Sequence, residues 1–324
     1  MSQPYTPPCT LTSAIVSLVT EIGEAVGHLT ALRTTAKSVR LRRINRIRTI
    51  RGSLAIEGST LSEAQITAIL EGKRVIAPPR EIQEARNAIK AYELFTQWQP
   101  SAEADLLAAH NIIMGGLLDA SGRYRSGGVG VVMAGQQVIH MAPPADRVSP
   151  LMRDLLHWLQ TTSEHPLIAS SVFHYEFEFI HPFEDGNGRM GRLWQTLILS
   201  RWNPLFAHVP VESLVHEHQR EYYAALNQST GKADSAPFIE FMLKMILGAL
   251  TPQVARLLQV LAGEMSREEI QGAMGLRDRK SFRARYLAPA LAEGLIAMAI
   301  PGKPNSRLQK YRLTETGQAW REGL

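Results

Sequence analysis

The stretch His181-Pro-Phe-Glu-Asp-Gly-Asn-Gly-Arg-Met-Gly-Arg192 brings several kinds of chemistry into twelve residues. His181 is an imidazole whose ordinary pKa suits a general base at neutral pH. Asp185 is a hard oxygen ligand of the kind that holds Mg2+ beside phosphates. Gly186, Asn187 and Gly188 let backbone N–H groups face one point, because glycine tolerates the dihedrals this needs. A helix beginning near Arg189 adds its positive N-terminal end, so the turn is an anion site. Arg189 and Arg192 stand three apart on one helical face, suited to two successive phosphates. Taken singly these features are common, since Asp-Gly and Asn-Gly are ordinary turns and a histidine among aromatics is usually structural. The joint spacing is what points to phosphate chemistry. An EF-hand is excluded by register: with Gly186 in the sixth place, positions one and three would be His181 and Phe183. No Walker-type Gly-x-x-x-x-Gly-Lys-Ser/Thr occurs.

Such a loop needs helices to hold it, and apolar spacing predicts them on both sides, over about 166–180 and 189–200. The same periodicity predicts helices over about 11–29, 38–57, 80–98, 101–118, 147–160, 214–228 and 236–249. Gly58 stops the second of these, and Ser59 or Thr60 is expected to cap a short helix running to Glu71. The exception to the helical pattern lies between Arg125 and Pro143. There Val129, Val131 and Val132, then Gly135, then Val138 and Ile139 read as a β-hairpin closed by a glycine turn.

Thr251-Pro252 opens a different unit. Helices expected at about 252–262, 266–273 and 278–293 are followed by strand-like runs at 295–300 and 309–313. Three helices and a two-stranded wing make a winged helix-turn-helix pattern. Its charge is uneven: residues 251–324 carry twelve Lys and Arg against seven Asp and Glu, and the rest of the chain balances. Arg277, Arg279, Lys280, Arg283 and Arg285 cluster at the expected recognition helix, and Arg307, Lys310 and Arg312 flank the wing. A second basic stretch, Arg33 to Arg51, holds eight basic residues and no acid. Such surfaces suit nucleic-acid phosphates, although most charge runs are solvated faces and many winged helices bind proteins or each other.

At 324 residues, 45% hydrophobic and 20% charged, the chain has ordinary globular composition and room for two or three packed units. No apolar run approaches the roughly 18 residues that span a bilayer. Met1 to Thr10 lacks the basic and apolar regions of a secretory signal, and the single Cys9 cannot form an internal disulfide. Together these lead to the expectation of a cytoplasmic protein with no membrane contact.

His181 to Arg192 resembles the signature of the Fic (filamentation induced by cAMP) family, His-x-Phe-x-(Asp/Glu)-Gly-Asn-Gly-Arg-x-x-Arg, with every defining position matched. The resemblance runs from about residue 50 to 249 and takes in Gly122-Arg-Tyr-Arg125, the hairpin, Pro143-Pro144, Tyr222-Tyr223 and Pro237-Phe-Ile. It implies a mainly α fold: a Fic-type helical core with a small β-hairpin flap, followed here by the winged helix. The expected boundaries are 1–60 for an N-terminal helical segment, 61–250 for the core and 251–324 for the winged helix.

The activity the resemblance implies is transfer of AMP from ATP to a Ser, Thr or Tyr hydroxyl of a protein, with release of pyrophosphate. His181 would take the hydroxyl proton, Phe183 anchor the loop and Asp185 hold Mg2+. The run Gly186, Asn187, Gly188, Arg189, Met190, Gly191 and Arg192 would bind the nucleotide, with Arg189 and Arg192 on the β- and γ-phosphates. The hairpin would clamp the target by strand pairing, placing Val138, Ile139, His140 and Met141 near the nucleotide. Ser53-Leu-Ala-Ile-Glu57-Gly58 also resembles the family's inhibitory motif. It implies a Glu57 carboxylate paired with Arg192, with Ser53 on the same helix face. The same residues would serve AMP removal. A DNA-binding regulator that uses this domain as a nucleotide sensor is the alternative from another class. A homodimer is expected by resemblance alone, and an in-chain brake argues against a free toxin.

Overall fold

The computed structural model describes residues 5–31, 37–128, 130–132, 138–250, 253–276, 279–292, 294–304 and 306–322. Gly135 of the hairpin turn and Arg277 lie outside the described residues, as do the side chains of Val138, Ile139, His140, Met141, Lys280 and Arg285. The chain divides into two compact units. One comprises Met1–Gly23 and Arg33–Ala249, the other Glu24–Leu32 and Leu250–Leu324.

Helices α1 (Ser13–Ala31), α2 (Lys37–Ile56), α3 (Glu63–Leu70), α4 (Pro79–Leu94) and α5 (Glu103–Ile113) lead to strands β1 (Gly130–Val132) and β2 (Val138–Met141). After the strands come α6 (Ala145–Thr161), α7 (Pro166–Ile180), α8 (Asn187–Trp202), α9 (Val211–Glu217), α10 (Gln219–Lys232) and α11 (Ala236–Leu250). The strands pair antiparallel, Gly130 with Met141 and Val131 with His140, and the register slips at Val132. Such a bulge twists a short ribbon and re-aims its residues.

At the centre stand α7 and α8. Twelve of the fifteen residues of α7 and twelve of the sixteen of α8 are buried, so neither is a surface helix with one apolar stripe. Pro166 opens α7 at a position that needs no N–H donor. Gly191 lets the two helices close: a Cβ there would lie 2.8 Å from His174 Cδ2 and 3.1 Å from Glu178 Oε1. On the far side α2 packs on α9, again through a glycine. A Cβ on Gly52 would fall 2.6 Å from the Ser213 backbone nitrogen, and Ser213 Oγ donates to the Arg48 carbonyl at 3.0 Å.

Three expectations change, the first being the helix foreseen over 101–118, which ends at Ile113. The cap of α3 is Ser62, which accepts from the Gln65 N–H while Gln65 reaches back to the Ser62 N–H. That reciprocal box needs a Gln or Glu three residues on, which Ser59 lacks; Thr60 has Glu63 there, but its N–H and hydroxyl are taken by Glu81 of α4. Ser59 also bonds Glu81. The single helix expected over 214–228 is two, broken at His218. Its halves serve different neighbours: α9 packs on α2, while Tyr222 of α10 meets His174 and Phe238.

The second unit holds α12 (Gln253–Val260), β3 (Met265–Ser266) and α13 (Arg267–Ala273). Next, α14 (Arg279–Phe282) runs through a wide turn at Arg283–Leu287 into α15 (Ala288–Ala292), and β4 (Ile296–Met298), β5 (Lys310–Leu313) and α16 (Glu315–Glu322) close the unit. The sheet has three strands in the order β3-β5-β4. The two residues of β3, ahead of the Ser266-capped α13, add the strand that the apolar pattern did not mark. Leu257, Leu261, Ile270, Phe282, Leu287 and Tyr311 form its core. Among the described residues no helix is long and apolar enough to cross a membrane.

Candidate active site

The last turn of α7 leaves His181 in the left-handed region, φ 50° and ψ 62°. Its N–H donates to Phe177 at 2.9 Å. Its carbonyl accepts from Arg125 Nε at 2.7 Å, and the same guanidinium reaches the carbonyls of Ile180, Gly127 and Pro143. Arg125 is thus a strut joining the loop to the segments on either side of the hairpin. Five backbone carbonyls face this region, counting Pro182, which takes the Arg125 N–H.

The middle of the loop is pinned by Phe183 and Asn187. Phe183 is fully buried and stacks on His110, ring centroids 3.6 Å apart and planes within 4°. Asn187 accepts from the Phe183 N–H at 2.9 Å and donates to the Phe183 carbonyl at 2.8 Å. Its side chain therefore fixes the loop, and only its backbone is left for an anion. His110 closes the other side: Nδ1 accepts from Gly122 N–H and Nε2–H donates to the Asp185 carbonyl. Burial lowers its pKa to about 4, so it is neutral, as these two bonds require.

Gly186, at φ 87°, turns the chain into α8, and its N–H is taken by Asp185 Oδ1. The first N–H groups of α8 carry the positive end of the helix. Four charges surround this end. Asp185 pairs with Arg189 at 3.1 Å and with Arg80 of α4 at 3.0 Å, and Glu84 bridges both arginines at 3.2 Å. Two cations and two anions balance, so each guanidinium is held in place before any ligand arrives.

Arg192 is held by α2. Nε donates to Ser53 Oγ at 3.2 Å, and Nη2 donates to the Ser53 carbonyl at 3.0 Å and to Glu57 Oε1 at 2.6 Å. Burial works against the charge on Arg192, but Glu57 outweighs it and the arginine's pKa stands above the ordinary value. The same Glu57 oxygen lies 2.5 Å from where a Cβ of Gly188 would sit. The carboxylate just beyond the end of α2 thus rests on the N-terminus of α8, where a bound anion gains most. Gln219 of α10 donates to the Ile56 carbonyl at 2.7 Å and holds the end of α2 there.

The structure brings His181, Asp185, Gly186, Asn187, Gly188, Arg189, Arg192, Ser53 and Glu57 to one mouth. Of the residues expected in the 181–192 loop to bind the nucleotide, two are not among them. Met190 is fully buried in the core and Gly191 faces His174 and Glu178 on α7. A helix turns about 100° per residue, so the positions between two site arginines point elsewhere. Arg80, Glu84, His110, Arg125, Glu178 and Gln219 were not anticipated, except that Arg125 sits in the quoted Gly122–Arg125 stretch. The others are isolated polar residues in helices, with no local pattern to mark them.

Two family models match the chain: "Fic/DOC family" over residues 100–199 and "Filamentation induced by cAMP protein Fic-like, C-terminal domain" over 252–314. A crystal structure of a Fic family protein from Desulfovibrio desulfuricans G20 is 53% identical, covers 96% of this chain and 99% of its own, and superposes with a TM-score of 0.72. The chain belongs to the Fic family. The mainly helical Fic core and small hairpin expected from the signature are the fold observed. Fic-1 from C. elegans is similar at 25% identity and TM-score 0.63, over 73% of this chain and 71% of that one. "Protein adenylyltransferase Fic" of Culex quinquefasciatus is 31% identical over 70% of this chain, and its Nematostella vectensis counterpart 30% identical over 59%. This Fic chain spans 45% of the length of each of those two curated relatives.

Proposed function

We propose that this chain transfers AMP from ATP to a Ser, Thr or Tyr hydroxyl of a protein, and that Glu57 restrains it. The names of the curated relatives support the reaction class. The observation that carries the reading is the meeting of His181, Asp185, Arg189 and Arg192 around one helix N-terminus. The target hydroxyl oxygen attacks the α-phosphorus and its proton passes to His181. The bond to the bridging oxygen of the β-phosphate breaks and pyrophosphate leaves. Arg189, Arg192 and the α8 N–H groups receive the phosphates, an arrangement that works by positioning and charge neutralisation. The backbone edge of the hairpin is suited to hold an extended target segment.

The residues fit Mg2+ arriving with the nucleotide. Asp185 is 42% exposed, and a nucleotide-borne Mg2+ takes only one or two protein carboxylates. Among the described residues no cluster of three or more His, Cys, Asp or Glu would build a self-sufficient metal cage. Held by Asp185, the ion would offset phosphate charge.

Glu57 acts as a brake because it occupies both the guanidinium and the helix end that the phosphates need. The test is incubation with labelled ATP and Mg2+, comparing the unsubstituted chain, Glu57→Gly, and Glu57→Gly with His181→Ala. Strong covalent labelling by AMP in the single variant alone is expected. No labelling in any of the three, with ATP still bound, sinks AMP transfer and favours AMP removal at the same site. A winged-helix contact with DNA is a separate reading, favoured by the exposed Arg279, Arg283, Lys310 and Arg312 of the second unit. Gel shifts over a salt series test it, since phosphate contacts give a steep salt slope.

A further inference from the structure

We propose that Glu178 is a positioning residue for His181: its carboxylate fixes the Nδ1 edge of the imidazole so that Nε2 receives the target's proton. The inference rests on the AMP-transfer reading above. Glu178, in the last turn of α7, lies three residues before His181, with Oε2 at 4.0 Å from His181 Nδ1. The Nδ1 atom is itself buried while the side chain keeps 18% exposure. Of the two ring nitrogens, Nε2 is then the one assigned to the substrate. A closure of about 1 Å brings the pair into hydrogen-bond range, and catalytic contacts commonly tighten in this way when substrate binds.

The neighbours explain why Glu178 is available for this task. His174, 3.8 Å away, is committed elsewhere: its Nδ1 lies 2.6 Å from Gln195 Oε1 and its Nε2 3.1 Å from the Tyr222 hydroxyl. With Nδ1–H donated to Gln195 and Nε2 accepting from Tyr222, this imidazole has no proton to give Glu178. Glu178 Oε1 is buried with no hydrogen-bond partner. An enclosed carboxylate oxygen without a partner is costly, and packing alone would favour an apolar residue. Gly191 preserves the space it stands in.

The remaining groups that face Glu178 set its charge. Burial raises its pKa to about 7, Arg192 pulls it down and Glu57 pushes it up. Tyr222 and Tyr223 of α10 have raised pKa values, chiefly through burial, and remain neutral. When Glu57 leaves, its repulsion goes and Glu178 becomes more anionic. The brake therefore acts at two points, on the phosphate-binding arginine and on the charge of the residue that orients the base.

The test uses the full chain with Glu57→Gly, with and without Glu178→Gln, an isosteric change. Imidazole 15N shifts of His181, recorded without ATP, report its tautomer and pKa. The expected result with Glu178 intact is the Nδ1–H tautomer, and in Glu178→Gln a His181 pKa lower by about one unit. AMP transfer should show kcat reduced at least about tenfold, KM for ATP within about twofold, and the acid limb of the kcat–pH profile shifted downward. As a second measurement independent of the substitution, the Glu178 carboxyl 13C shift and the His181 15N shifts should titrate together. Unchanged tautomer and pKa in Glu178→Gln, or independent titration of the two groups, overturns the proposal. If Glu57→Gly transfers no AMP yet the NMR coupling is present, the transfer reading fails and the positioning of His181 stands.

Discussion

Arg192 is 2% exposed and its carboxylate partner Glu57 33% exposed, so the two lose different things when separated. Glu57 gains water, whereas Arg192 is left as a buried cation, and removing one partner of such a pair costs on the order of 3–5 kcal/mol. Glu57→Gly is therefore expected to lower the melting temperature in the absence of ligand. Phosphates can replace the missing carboxylate, so ATP should raise the melting temperature of Glu57→Gly more than that of the unsubstituted chain, by the binding linkage. A thermal-shift series in ATP measures both, and an equal ATP shift in the two proteins would refute the substitution of phosphate for carboxylate. Asn187 offers a second test. Asn187→Asp keeps the acceptor for Phe183 N–H but places a carboxylate against the Phe183 carbonyl. A lost buried hydrogen bond plus that repulsion should cost on the order of 1–3 kcal/mol, readable by urea denaturation. At this scale the sequence is legible where a residue belongs to a contiguous motif, as His181, Asp185 and the two arginines do. It is silent where the partner comes from a distant helix, as Arg80 and Glu84 come to Asp185 and Arg189. Nothing local distinguishes Glu178 from a solvated helix carboxylate until Gly191 and His174 close over it.

Among the elements, α2 matters most for the site, because Ser53 and Glu57 lie in or just beyond its last turn. Its position is set by the approach of Gly52 to the backbone of Glu212 and Ser213, which has no flexible side chain that could yield. Gly52→Ala should therefore push α2 off α9. The expected outcome is a stability loss of about 1–3 kcal/mol from overpacking, together with AMP labelling above that of the unsubstituted chain as Glu57 is carried away from Arg192. Labelling that stays at the unsubstituted level with α2 displaced, as read by hydrogen exchange at residues 47–56, would contradict the link between helix seating and restraint. Helices with strong apolar spacing were legible to within two or three residues, 166–180 among them. The break at His218 was not, because Val215, Tyr222, Ala225 and Ser229 would share one face of an uninterrupted helix. Only their different neighbours demand the change of direction.

For the whole molecule, the histidines buried under the loop tie stability to pH. Burial lowers His174 to about 3 from an ordinary value near 6.5. Below that ordinary value the unfolded chain takes up a proton that the native form refuses. His174 therefore contributes its full stability above about pH 6.5 and loses it progressively as pH falls towards 3. Between pH 7 and pH 5 the unsubstituted chain should lose about 2 kcal/mol more than His174→Gln, measured by urea denaturation at the two values. Equal losses would place the pH dependence in other groups. In the sequence, the Thr251-Pro252 break and the change in charge balance are the signs of a separate C-terminal unit. No sign there groups Glu24–Leu32 with the C-terminal residues, because the periodicity of α1 is unbroken across both parts.

His181 carries a cost of another kind. A β-carbon at φ 50° is disfavoured by roughly 1–2 kcal/mol, and glycine or asparagine would occupy that backbone more comfortably. The local preference of the chain therefore opposes the side chain proposed to take the target's proton. A library randomised at this codon and sorted for heat tolerance alone should drift towards glycine and asparagine and become inert. Only a screen that also rewards turnover would hold the imidazole in place.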